Sequence, residues 1–273
     1  MSFSITTKEF FGEFAGTFLL VLFGCGSVAV SVLFDAHSGL MQIGIIWGIG
    51  VTLAVYATRN LSCAHLNPAV TAAMVAAGRM RSGKLPGYWL AQMLGAIIAG
   101  FVLYACFGSS IETYELAHKI TRGSPESAAV AKMFGEYYNL PGSNSAVGMW
   151  LAAFVELLGT FLLLMLIFSI TEGCNVGKPS SDIEPVFIGL SVTSIICLLA
   201  PLTQAGLNPA RDFGPRLVSW AMGWGSAAFP DETGGFFIVY IAAPIVGGVL
   251  AAWLFKYFID PLLGRQNTGC CCK

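Results

Sequence analysis

The sequence predicts an all-α membrane protein: six transmembrane helices plus two re-entrant half-helices, arranged as an inverted repeat. Three observations predict it. The 273 residues are 56% hydrophobic and 11% charged, where soluble domains run at roughly 45–50% and ~25%. With a mean hydropathy of +0.74, too little charge is left to coat a soluble surface. Six segments reach the roughly 20 mostly apolar residues that a span needs, and two short strings recur at nearly one offset. The charge balance, 14 Lys+Arg against 15 Asp+Glu, gives a net charge of −1 and no basic stripe. The expected partner is therefore the lipid bilayer, and a nucleic acid is excluded.

In order, the expected spans are about 10–34, 40–58, 86–107, 147–171, 184–203 and 235–258. The first is too long for a signal peptide, carries Glu13 and ends in no small-residue cleavage pattern. An even number of spans places both termini on one side. That side holds Lys8, Arg59, Arg79, Arg81, Lys84, Lys178, Lys256, Arg265 and Lys273; the other holds Lys119, Arg122, Lys132, Arg211 and Arg216. The bias makes the termini cytoplasmic, in a multi-pass protein of a cell (plasma or inner) membrane.

Cys25, Cys63, Cys106, Cys174 and Cys197 lie singly and Cys270–Cys272 crowd the end, with no zinc spacing and no disulfide framework. No metal and no cofactor is expected.

Glu13-Phe14-Ala15-Gly16-Thr17-Phe18-Leu19-Leu20 reappears as Glu156-Leu157-Leu158-Gly159-Thr160-Phe161-Leu162-Leu163, offset by 143; Leu66-Asn67-Pro68-Ala69 reappears as Leu207-Asn208-Pro209-Ala210, offset by 141. Two markers at nearly one offset mean a duplicated half. Each half carries three spans, an odd number, so the second half sits upside down relative to the first. The first repeat is placed at 1–107, a polar extracellular linker at 108–146, the second repeat at 147–258 and a cytoplasmic tail at 259–273. Gly12-x-x-x-Gly16 and Gly44-x-x-x-Gly48 read as internal helix contacts.

After each Asn-Pro-Ala comes a helix-forming stretch too short to span, giving half-helices at 67–78 and 208–220. Asn67 and Asn208 stand at natural N-cap positions. Pro68 and Pro209 stand just inside, where the missing N–H costs nothing, and Ala69 and Ala210 follow. Non-helical backbone at membrane depth survives only where it lines a cavity or is buried in protein, so the loops before each half-helix predict a polar pathway. Two helix N-termini meeting at mid-membrane repel cations. The asparagine amides would donate to a passing oxygen. A channel for neutral, hydrogen-bonding solutes follows.

From about residue 8 to 258 the chain resembles the major intrinsic protein family, the aquaporins and aquaglyceroporins. Two Asn-Pro-Ala boxes, the duplicated Glu-x-x-Gly-Thr and Ser62-Cys63-Ala64-His65-Leu66-Asn67-Pro68-Ala69-Val70 carry the resemblance. It implies that Glu13 and Glu156 brace the pore loops, a structural role rather than a proton relay. It implies pore-lining carbonyls from Cys63, Ala64, His65, Leu66, Gln204, Ala205, Gly206 and Leu207, and a homotetramer. Asp212 after Arg211, with Arg216 four residues on, is similar to the glycerol-facilitator branch. Trp47 falls where that branch places a selectivity-filter tryptophan, and the filter expected here is Trp47, Ile196, Ala205 and Arg211.

That branch usually has Gly at the position of Ile196 and an aromatic at that of Ala205; the size exchange is roughly compensating. The implied activity is passive passage of glycerol and other small neutral solutes, with water passing too. The alternative is a water-selective or ammonia-, urea- or metalloid-permeable channel with little glycerol flux. A coupled transporter lacks titratable groups along the path. An enzyme lacks a nucleophile triad, metal cluster or phosphate loop.

Overall fold

The computed structural model describes residues 5–37, 39–140, 147–231 and 234–263. Residues 141–146 of the expected linker, Arg265, Lys273 and Cys270–Cys272 lie outside the described residues. Among the described residues, six helices are long and apolar enough to cross a membrane. They are α1 (Thr7–Phe34), α2 (Leu40–Ser62), α4 (Leu85–Ala117), α6 (Met149–Thr171), α7 (Glu184–Thr203) and a sixth span over Gly235–Leu262. Between them lie α3 (Pro68–Ala76), a short α5 (Ala128–Ala131) and α8 (Pro209–Ser219). Helices α3 and α8 together make about 30 Å of helix at 1.5 Å per residue, one span's worth delivered in two pieces.

Local chemistry sets the ends. Thr6 and Glu9 close a capping box on α1. Helix α3 stops because Gly78 turns left-handed (φ 77°) and Arg79 N–H reaches back to Met74 O at 2.8 Å, a Schellman closure. In the sixth span the turns widen over Ile238–Ala242, just before Pro244. That proline lacks an N–H and crowds the carbonyl one turn earlier.

Two expectations need correcting. The third span runs on to Ala117 rather than stopping near 107. No proline interrupts Phe107–Ala117, and Ile111 and Glu115, one turn apart, are both buried, Glu115 paired with Arg122. The linker is also less polar in its packing than its composition suggests. Val130, Met133, Phe134, Tyr137 and Tyr138 are buried, so this segment folds back into the protein instead of merely joining the halves.

The duplication is visible in the packing. Helix α1 packs on α2 and α4; α6 packs on α7 and the sixth span; α2 meets α7 between the halves. Each half-helix is held by the opposite repeat, α3 against the sixth span and α8 against α4. A Cβ on Gly95 would fall 2.3 Å from Phe14 O, and one on Gly247 would fall 2.2 Å from Leu157 O. Both crossings therefore require glycine. The two Gly-x-x-x-Gly pairs make contacts within the chain: Gly16 sits against Leu66, and Gly48 against Gly189 of α7.

Candidate functional site: a cavity between two half-helices

A cavity runs inside the bundle. Helices α2 and α7 run in opposite directions, so Trp47 and Ile196 share one end with Arg211, while Val55, Ile188 and Thr171 line the other. Asn67 and Asn208 line it between them, as do Cys63–Leu66 and Ala205–Leu207. Gln204 does not line the cavity. Its side-chain oxygen instead accepts from Tyr137 N–H at 2.8 Å, tying the linker to the second loop.

The two loops share one unusual backbone. Cys63, Ala64 and Leu66 have φ of 70°, 51° and 54°; Gln204, Ala205 and Leu207 have 65°, 57° and 54°. Each left-handed non-glycine residue costs about 1–2 kcal/mol, so the conformation persists only where its surroundings over-determine it. The buried carboxylates do this. Glu13 accepts from His65 N–H at 2.9 Å and Leu66 N–H at 2.8 Å, and Gln92 donates to it at 2.7 Å. Glu156 accepts from Gly206 N–H at 2.9 Å, Leu207 N–H at 2.8 Å and the Thr203 hydroxyl at 2.6 Å. Neither carboxylate lines the cavity; both face loop backbone. The His65 ring packs against Tyr88, centroids 5.2 Å apart.

Each asparagine caps its own half-helix and reaches the other. Asn67 Oδ1 accepts from Ala69 N–H at 2.8 Å, and Asn208 Oδ1 from Ala210 and Arg211 N–H at 3.1 and 3.2 Å. Asn67 Nδ2 donates to Leu207 O at 2.9 Å and Asn208 Nδ2 to Leu66 O at 2.8 Å. An amide carries two N–H donors, so each keeps one beyond this crosslink. Pro68 and Pro209 open the half-helices, and Ala69 and Ala210 are fully buried behind them.

At the Trp47 end, the Arg211 guanidinium lies 4.3 Å from the indole centroid. The ring is seated on Gly24, where a Cβ would come within 2.2 Å of it. Arg211 is 3% exposed and pairs with Glu136, while its Nη1 has no hydrogen-bond partner. Ile196 and Ala205 complete this end. The sequence reading missed Glu136, because an acid in an irregular linker carries no periodic signal.

It also left Asp212 without a physical task. Asp212 accepts from Arg216 at 3.0 and 2.7 Å and from Glu136 N–H at 2.8 Å, while Arg216 donates to Glu136 O at 2.6 Å. One residue of the linker is thus gripped at its N–H, its carbonyl and its side chain by three charges of α8. Tyr240 was likewise unassigned. It donates to Thr203 O at 2.9 Å and lies against Gly206, supporting the second loop from behind.

Comparisons with known proteins agree with this geometry. A family model described as Major intrinsic protein matches residues 1–255. The chain is 41% identical over 263 residues to the glycerol uptake facilitator protein of Haemophilus influenzae, covering 95% of this chain and 96% of that one. It is 40% identical over 265 residues to the propanediol uptake facilitator PduF of Citrobacter freundii, covering 96% and 94%. The aquaglyceroporin from Plasmodium falciparum matches in structure with a TM-score of 0.81 at 26% identity, over 94% of this chain and 98% of that one. The protein is a multi-pass membrane protein with two re-entrant half-helices, and it belongs to the major intrinsic protein family.

Proposed function

We propose that this protein is a passive channel for glycerol and other small neutral solutes, with water passing too. The observation that carries the reading is the Trp47–Arg211 pair. A buried guanidinium with an unpartnered Nη1 stands beside an indole face at the wall of the cavity. A polyol has a carbon edge for the ring and hydroxyl oxygens for the donor, and water or a cation lacks one or the other. Trp47, Ile196, Ala205 and Arg211 act as the selectivity filter. The loop carbonyls of Cys63–Leu66 and Ala205–Leu207 replace the solute's hydration, and Asn67 and Asn208 orient it with their remaining N–H groups. Glu136 neutralises Arg211, so the filter offers donors without a full positive charge. Solutes move in single file down their gradient.

Both termini face the cytoplasm in this reading, which puts the Trp47 end outside. The support is the Lys/Arg bias between the two sides. A homotetramer with one pore per subunit is part of the same reading, supported by membership of the family. Proteins similar to this one are named for glycerol and for propanediol uptake, consistent with a filter that prefers small diols and triols.

Light scattering from liposomes carrying the purified protein tests the proposal. Fast shrinkage in hyperosmotic sucrose, and fast reswelling in glycerol, are expected. Reswelling no faster than in empty liposomes would sink the glycerol assignment. It would favour the second reading, a channel for water or smaller solutes in which the Ile196 side chain closes the filter to polyols.

A further inference from the structure

A second, apolar groove opens between α4 and the sixth span. Its floor is Pro68, Pro209 and Phe213, the reverse side of the two half-helices. Trp89 and Met93 of α4 form one wall; Phe237, Ile241 and Ile245 of the sixth span form the other. The widened turns over Ile238–Ala242 lie along this second wall. The Trp89 indole N–H is already used, donating to Pro68 O at 3.1 Å. A polar solute finds nothing to bond to here, and unpaired polar groups are costly in such surroundings.

The position selects the occupant. Pro68 and Pro209 start the half-helices that meet at mid-membrane, so the groove lies at the depth of the hydrocarbon core. Its rims run directly into exposed apolar side chains: Leu90 and Leu94 on α4, Phe237 and Val246 on the sixth span. The groove is thus continuous with an exposed apolar surface of two membrane-spanning helices and deepens it inward to the Asn-Pro-Ala prolines. We propose that it seats one acyl chain of a bilayer lipid, which packs on Pro68 and Pro209 and supports the half-helix junction from behind. A close-packed occupant restores dispersion contacts that an empty groove would forfeit.

The test uses full-length protein in phosphatidylcholine vesicles, with lipid dibrominated at mid-chain, lipid brominated near the headgroup, or neither. The emission lost in Trp89→Phe reports on Trp89. Mid-chain bromine is expected to quench this component at least twofold more than headgroup-proximal bromine. Ile241→Phe, which fills the groove, should halve that quenching without changing oligomer size. Equal quenching from both depths, or quenching unchanged in Ile241→Phe, overturns the proposal. So does absent quenching with Ile241→Phe splitting the oligomer, which would make this face a subunit contact. A lipid carrying a mid-chain photoreactive group gives a readout without the Trp89 variant. Adducts on 89–93 and 236–245 are expected, and those should disappear in Ile241→Phe while labelling of the outer helix faces persists; no adducts on these two segments, or adducts there unchanged in Ile241→Phe, overturn the assignment.

Discussion

Asn67 and Asn208 exchange hydrogen bonds across the centre of the protein, each amide donating to the carbonyl immediately before the other: Asn67 Nδ2 to Leu207 O at 2.9 Å, Asn208 Nδ2 to Leu66 O at 2.8 Å. The two half-helices are therefore fixed to each other and not only to the opposite repeats that pack on them. Replacing Asn208 with Ala removes the cap of α8 and one of these crosslinks. A loss of about 1–2 kcal/mol is expected from the cap alone, read as a lower unfolding midpoint in detergent with reduced solute flux in liposomes. Unchanged stability would mean that the crosslink is geometrically present but energetically idle.

The carboxylates hold the left-handed loops. Glu156→Ala leaves the Gly206 and Leu207 N–H groups unpaired, at about 1–3 kcal/mol each, and removes what over-determines a strained backbone. The variant should assemble poorly. Glu156→Gln, which keeps one acceptor oxygen, should lie between it and wild type in thermal unfolding.

Arg211 and Glu136 form a buried pair, so removing either leaves a charge alone. Arg211→Ala is expected to destabilise by about 3–5 kcal/mol, and Glu136→Gln in the same chain should recover part of that loss. The pore is a separate question. Without the guanidinium its barrier to cations falls, and proton leak followed by a pH-sensitive dye inside liposomes should rise. An unchanged leak would remove Arg211 from the barrier.

Cys63 lines the cavity in the left-handed region, at φ 70°. A mercurial should slow permeation in wild type and leave Cys63→Ser unaffected; an insensitive wild type would place the thiol away from the solute path. Cys63→Gly should abolish the sensitivity and also gain about 1 kcal/mol, because glycine adopts this conformation without the Cβ penalty.

Ile196→Gly opens the cavity wall at the Trp47 end, where the filter is proposed. The ratio of glycerol to water permeability should rise on the order of tenfold, the discrimination a few methylenes typically give in an apolar site. Stopped-flow scattering with glycerol and then a four-carbon polyol reads this directly. An unchanged ratio would show that Ile196 does not limit the solute.

Much of the architecture was legible in the chain because hydrophobic length and exact repetition are local properties. Six apolar runs and two Asn-Pro-Ala boxes were enough for spans and half-helices, while the bracing of the loops by Glu13 and Glu156 was expected only through the family resemblance. The end of α4 was misplaced, since Ile111 and Glu115 continue its buried face within a stretch that reads as polar.

What meets what depends on contacts made across the folded chain. The swap of α3 onto the sixth span and of α8 onto α4, the grip of Asp212, Arg216 and Arg211 on Glu136, and the seating of Trp47 on Gly24 all join residues distant in the chain. Such contacts follow from the inverted packing of the two halves, and no periodicity or short motif encodes them. Local patterns in the chain were enough to specify a duplicated membrane channel with an asparagine opening each half-helix. Folding decided which carboxylate tempers the pore's arginine, because that choice depends on where an irregular linker returns to the bundle.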